Sequence, residues 1–144
     1  RALLAFQRAL RQRRFVMHLD IRHYFMAVDR EILMELMGRK IKDKRLMELL
    51  RVIASSGAGL YADPQIRDLL HLSETYPPSD AGLPIGNLTS QWWGNHYLSE
   101  LDHWIKRKLR VPHAQRYMDD LSLFADDRAQ LEEARDEIGQ WPVG

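Results

Sequence analysis

An aspartate pair set between two apolar runs constrains this chain more than any other feature. Asp119-Asp120 follows Arg116-Tyr117-Met118 and precedes Leu121-Ser122-Leu123-Phe124. Such a pattern reads as a β-hairpin with the acids at its tip, because Asp adopts left-handed turn geometry more readily than most residues. Phe15-Val16-Met17-His18-Leu19-Asp20 reads as a further strand, and it too ends on a carboxylate. In a small sheet, neighbouring strands can bring Asp20 and Asp119 together although they are far apart in sequence. Two like charges held close are unfavourable unless a cation neutralises them or one is protonated. An Asp-Asp turn by itself is equally a plain polar hairpin tip. With Asp20 added, three carboxylates at one sheet edge make a hard-oxygen site suited to magnesium, which takes one or two carboxylates plus substrate phosphates. Two such ions about 4 Å apart activate a hydroxyl nucleophile and stabilise a leaving pyrophosphate.

The remaining elements fit around that sheet. Residues 1–12 read as the end of a helix with Leu3, Leu4 and Leu10 on one side. Asp29 can cap a helix whose face is Ile32, Leu33, Leu36 and Met37, ending near Gly38. Asp43 can cap another carrying Leu46, Leu49, Leu50 and Ile53. Residues 55–86 hold Gly57, Gly59, Pro64, Pro77, Pro78, Gly82 and Pro84, which predicts loops or short strands. Asn87 opens the longest expected helix, to about Lys108, with Trp93, Tyr97, Leu101 and Ile105 every fourth residue. Asp127, with Gln130 three later, opens a final helix. Strands mixed with helices in this order predict an α+β fold with helices packed on one face of a small antiparallel sheet.

A length of 144 residues fits a single domain, and 45% hydrophobic residues suffice for a real core. No apolar run approaches the roughly 20 residues of a membrane helix, so no membrane partner is expected. There is no signal peptide pattern, and the absence of cysteine excludes disulfides and thiolate metal sites, which suits a cytoplasmic location. The net charge of +1 hides an asymmetry. Residues 1–14, 39–45 and 104–116 are basic, whereas 126–137 carry six acids against two arginines. Basic clusters can converge on a phosphate backbone, or each can be a solvated helix face. Residue 1 falls inside a helical pattern and QWPVG stops just after a helix, so the chain reads as a piece of a longer protein.

Tyr117-Met118-Asp119-Asp120 resembles the YxDD box of reverse transcriptases, and Leu19-Asp20-Ile21-Arg22-His23-Tyr24-Phe25 resembles their first aspartate motif. Between them, Gly82-Leu83-Pro84-Ile85-Gly86-Asn87-Leu88-Thr89-Ser90-Gln91 is similar to the loop-to-helix motif that holds nucleotide and template. NHYLSELD, residues 95–102, continues in the manner of group II intron and retron enzymes. The resemblance, over roughly residues 15–125, implies the palm of an RNA-directed DNA polymerase, with fingers upstream and a thumb downstream that this chain does not carry. Residues 1–144 alone are accordingly expected to be inactive. It implies Asp20 and Asp119 as the main metal ligands, Asp120 as the supporting acid, and the Ile21 carbonyl completing the shell. Two Mg2+ ions, with Mn2+ as a substitute, are the implied cofactors. Phe25 stands at the steric-gate position that excludes a ribose 2′-hydroxyl, or is a core aromatic beside Tyr24. Ile85, Gly86, Ser90 and Gln91 fall to the nucleotide site, and Tyr117, Met118 and Trp92 to primer and template. Lys106 and Arg107 can meet nucleic-acid phosphates or solvate a helix end.

The middle motif departs from the common Gln-Gly-x-x-x-Ser-Pro form, with Ile85 in place of glutamine and Gln91 in place of proline. That variant resembles the enzymes of diversity-generating retroelements, which copy a template RNA with errors at adenines. The alternatives are a retron, group II intron or defence-associated enzyme, a catalytically silent nucleic-acid-binding relative, and an unrelated metal-dependent phosphohydrolase. Implied partners are an RNA template, a DNA or RNA primer, dNTPs and a small basic accessory protein. His96 and His103 lie seven apart on one helix, but with no third ligand near them they do not make a zinc site. Trp92 and Trp93 can stack on bases or enter the core. Gly86 and Gly94 can permit close approach by nucleic acid or a neighbouring helix.

Overall fold

The computed structural model describes residues 2–78 and 80–141. Residue 1 of the expected first helix and the last three residues of QWPVG therefore lie outside the described residues. In chain order the elements are α1 (Ala2–Gln12), β1 (Phe15–Asp20), α2 (Tyr24–Ala27), α3 (Arg30–Lys40) and α4 (Lys44–Ser55). A 3-10 turn (Leu60–Ala62), α5 (Pro64–Leu69), α6 (Leu88–Tyr97), α7 (Ser99–Trp104) and a π-helical turn (Ile105–Leu109) follow. The chain closes with β2 (His113–Tyr117), β3 (Asp120–Ala125) and α8 (Arg128–Gly139). Four helix starts, those of α3, α4, α5 and α8, are set by aspartates. Asp29, Asp43 and Asp63 each accept two backbone N–H groups, and Asp127 accepts that of Ala129. Each such cap contributes about 1 kcal/mol.

Two compact units emerge, Arg1–Arg22 with Leu98–Gly144, and His23–Tyr97. The first holds a three-stranded antiparallel sheet in the order β1-β3-β2. Asp20 pairs with Asp120 and Phe15 with Ala125, while on the other side Tyr117 pairs with Asp120 and His113 with Phe124. Side chains alternate between faces along each strand. Asp20, Asp120 and Tyr117 therefore form one row, and Leu19, Leu121 and Arg116 form the next row on the opposite face.

Helices pack against both faces of this sheet, which corrects the one-faced layer expected from the element order. Phe6 of α1 meets Phe124 edge-on at 5.3 Å between centroids and stacks on His18 at 6.2 Å. His18 and Phe124 share the face of Asp20. Asp102 of α7 holds Arg116, which points from the other face. The cause is the central strand: Leu121, Ser122, Leu123, Phe124 and Ala125 are all buried, and a strand buried at consecutive positions needs cover on both sides. Leu3, Leu4 and Leu10, expected to form the packing side of α1, are exposed instead, and Ala9 is its buried residue.

The second unit is helical. α3 packs against α4 and α6, burying Leu33, Met34, Leu36 and Met37. On α4 the expected face is only partly used, since Leu46 and Leu49 are exposed and Ala54 is buried. Residues 55–86 hold more helix than expected. Asp63-Pro64 places a capping carboxylate before a proline at the first helical turn, and α5 begins there. The helix expected from Asn87 to Lys108 is not continuous. It stops at Tyr97, restarts at Ser99, and widens into the π-helical turn from Ile105, with Leu98 at ψ 1° between the first two segments. Trp93, Tyr97, Leu101 and Ile105 are all buried, so the four-residue spacing persists across a local break that spacing cannot detect. Among the described residues no helix is long and apolar enough to cross a membrane.

Candidate active site

The end of the sheet gathers the acids. Asp20, last residue of β1, lies directly opposite Asp120, first residue of β3. Side chains directly opposite in an antiparallel ladder have Cβ atoms about 5 Å apart, and like charges there repel. Asp119 sits in the two-residue turn between β2 and β3, and its carbonyl accepts the Ile21 N–H at 3.3 Å. The acid pair is thus divided, Asp119 in the turn and Asp120 on the strand. Left-handed geometry falls on Met118 (φ 57°) rather than on either aspartate, because Met118 occupies the first turn position. Tyr117 shares the row of Asp20 and Asp120 and is 79% exposed.

These carboxylates offer only oxygen donors, the chemistry preferred by magnesium and manganese. Two facing carboxylates fit an ion that takes its other ligands from water and substrate phosphates. Among the described residues no group of three or more His, Cys, Asp or Glu side chains stands ready to hold a metal ion.

Behind the turn lies an arrangement that the sequence did not reveal. Arg116 Nε and Nη2 each donate to an Asp102 carboxylate oxygen at 2.8 Å, and Nη1 donates to the Met118 carbonyl at 2.6 Å. Counting Arg116 with the basic run 104–116 suggested a phosphate contact, whereas its guanidinium is committed to Asp102 and the turn. The available signal was positional. An arginine one residue before Tyr117 must point away from the face that carries the acids. Lys106 borders, with Asp102, Gln115 and Arg116, a cleft of about 230 Å³. Arg107 is exposed.

In the helical unit the middle motif is pinned by backbone bonds. Leu83 N–H donates to the Phe25 carbonyl at 2.7 Å and Gly82 N–H to the Val28 carbonyl at 2.8 Å. The Tyr61 hydroxyl donates to the Leu83 carbonyl at 2.9 Å and Arg30 to the Gly82 carbonyl at 3.0 Å. Burial pushes the Tyr61 phenol up and that of Tyr97 up to about 12, so both stay protonated at neutral pH. Gly82 has φ 98°, and a Cβ there would lie 2.5 Å from Tyr61 Cδ2 and 2.8 Å from the Met26 carbonyl. Only glycine fits that position.

The same unit sorts the other expected residues. Phe25 is half-buried, its ring 5.2 Å from that of Tyr24. A Cβ on Gly94 would meet both rings within 3.1 Å, so Gly94 admits a neighbouring helix, α2. Ile85 is 62% exposed, Gly86 is exposed at φ 97°, and Gln91 and Trp92 are exposed. Ser90 is buried, and its hydroxyl has no partner among the described residues. Trp93 belongs to the core, which separates the two tryptophans. Compared with known proteins, the chain matches no protein-family model and no curated relative.

Proposed function

We propose that this chain is the palm of an RNA-directed DNA polymerase, of the kind found in diversity-generating retroelements. The observation that carries the reading is the pairing of Asp20 with Asp120 beside the Asp119 turn. The strand pattern and the motif order marked these acids, and the sheet register brings the elements that bear them side by side. The reaction proposed is nucleotidyl transfer. The primer 3′-oxygen forms a bond to the α-phosphorus of a dNTP, the bond to pyrophosphate breaks, and the hydroxyl proton passes to solvent. Magnesium, when bound, favours the deprotonated hydroxyl and neutralises phosphate charge.

The chain's own residues supply the rest. Asp20, Asp119 and Asp120 provide anionic oxygens, with the Ile21 carbonyl next to Asp20 in sequence. Phe25 is assigned the sugar gate, and exposed Ile85, Gly86 and Gln91 the nucleotide. Tyr117, Met118, Trp92, Lys106 and Arg107 are assigned to primer and template. Supporting the middle assignment is the way Gly82 and Leu83 are pinned to the Phe25 and Val28 carbonyls, which presents Ile85 and Gly86 on a fixed loop.

Primer extension on an RNA template by the full-length protein tests the reading. Asp119→Asn is expected to lower dNTP incorporation by about 10³-fold, the scale for removing a preorganised electrostatic group, with RNA binding retained. Undiminished synthesis, or a variant that loses RNA binding together with its fold, would assign Asp119 a structural role instead.

A further inference from the structure

We infer that Arg116 and Asp102 form a positioning pair that sets the turn carrying Asp119, an inference that rests on the polymerase reading. A peptide unit is planar, so fixing its carbonyl fixes the direction of the following nitrogen. The Met118 carbonyl belongs to the peptide that enters Asp119, and Arg116 Nη1 holds it at 2.6 Å. The Asp119 carbonyl belongs to the peptide that leaves Asp119, and the Ile21 N–H holds it at 3.3 Å. Both peptide planes flanking this aspartate are thus anchored, one by the residue that follows β1 and one from the opposite face of the sheet.

The first anchor needs support, because Met118 is a non-glycine residue at φ 57°, a region such residues seldom occupy. Asp102 provides that support by accepting Nε and Nη2 at 2.8 Å each, which leaves Nη1 aimed at the turn. The planar fork of arginine makes this possible. A lysine carries the same charge but cannot hold a carboxylate bidentately and a carbonyl in a second fixed direction. The Arg116 side chain is 8% exposed and that of Asp102 36%, so the guanidinium is shielded from water while its carboxylate partner stays partly open to it. Neither group lies in the Asp20–Asp120 row, and both act on the site only through the turn.

Hydrogen exchange and steady-state kinetics on the full-length protein test this with Arg116→Lys and Asp102→Asn. In both variants the amides of 118–120 are expected to exchange about ten-fold faster or more, while those of 122–124 keep their protection. The kcat for dNTP incorporation should fall about 10- to 100-fold, as small misplacements at a reacting centre do. The dNTP KM should stay unchanged and the half-saturating magnesium concentration should rise. Unchanged exchange at the turn overturns the inference. So does a fall in kcat that matches the loss of folded protein with magnesium dependence unaltered. If the wild type makes no cDNA while exchange at the turn still rises in the variants, the polymerase reading fails and the turn-holding role stands.

Discussion

The sheet unit and the helical unit place their candidate residues by different physical means. In the sheet unit, position comes from a repeating ladder. Once β1 and β3 pair from Phe15 with Ala125 onward, Asp20 must arrive opposite Asp120. A slip of one residue would turn every side chain to the wrong face. Among the described residues of the helical unit there is no ladder, and the loop before α6 is held by bonds from scattered side chains to its carbonyls. Arg30 reaches Gly82 and Asp80, Tyr61 reaches Leu83, and Arg67 reaches Tyr61, Pro77 and Ser73. A ladder spreads its specificity over many equivalent bonds, whereas a pinned loop concentrates it in a few irreplaceable positions.

Gly82→Ala is the strongest way to break that contrast. Its Cβ would collide with Tyr61 and the Met26 carbonyl while the backbone holds a positive φ, so a loss of about 3 kcal/mol is expected in urea unfolding. Gly139, at the end of α8 in the sheet unit, has nothing within 4 Å of such a Cβ. Gly139→Ala should change stability by less than about 0.5 kcal/mol. Similar losses in the two variants would erase the distinction.

Ile85 sharpens the comparison at the level of function. At 62% exposure, Ile85→Gln should leave stability within about 0.5 kcal/mol. Under the proposed function it restores a polar contact that apolar walls, discriminating by only about 1–3 kcal/mol, do not supply. Sequencing cDNA made by both proteins on one RNA template should reveal fewer errors in the variant, above all opposite adenine. Equal error rates would detach Ile85 from fidelity.

What the sequence made legible follows the same division. The strand Phe15–Asp20 and the caps at Asp29, Asp43 and Asp127 could be read directly, because strand pattern and capping are local and carry their own signatures. Asp20, Asp119 and Asp120 were expected at one sheet edge without a register, and the ladder places Asp120 directly opposite Asp20. The turn occupies Met118 and Asp119, a shift of one residue that composition cannot resolve. The role of Arg116 was illegible, because its partner Asp102 comes from another element and an ion pair of that kind leaves no spacing pattern. The break at Leu98 was hidden for a related reason, since burial on either side continues the helical period. In 55–86, glycines and prolines signalled loops while the Asp63-Pro64 start of α5 went unread.

The smallest expected effect lies at the far end of the sheet. The Arg13 guanidinium, 2.7 Å from Asp126, and the Arg14 backbone N–H hold that carboxyl below the usual aspartate value of about 3.9. A lowered folded-state value means the contact stabilises the protein above that range and loses its contribution as pH falls through the lowered value. Asp126→Asn should therefore shift the urea midpoint slightly at pH 7, and the difference from wild type should close in strong acid. A gap that persists or widens there would assign the effect to something other than this ion pair.

The central claim is that the facing aspartates at the ends of β1 and β3 hold a divalent cation. Manganese binding followed by electron paramagnetic resonance in the full-length protein tests it most directly, comparing wild type with Asp20→Asn. The account predicts manganese bound by the wild type, displaced by magnesium, and bound about ten-fold more weakly or worse when one carboxylate ligand is removed. Equal affinity in the two proteins would contradict it.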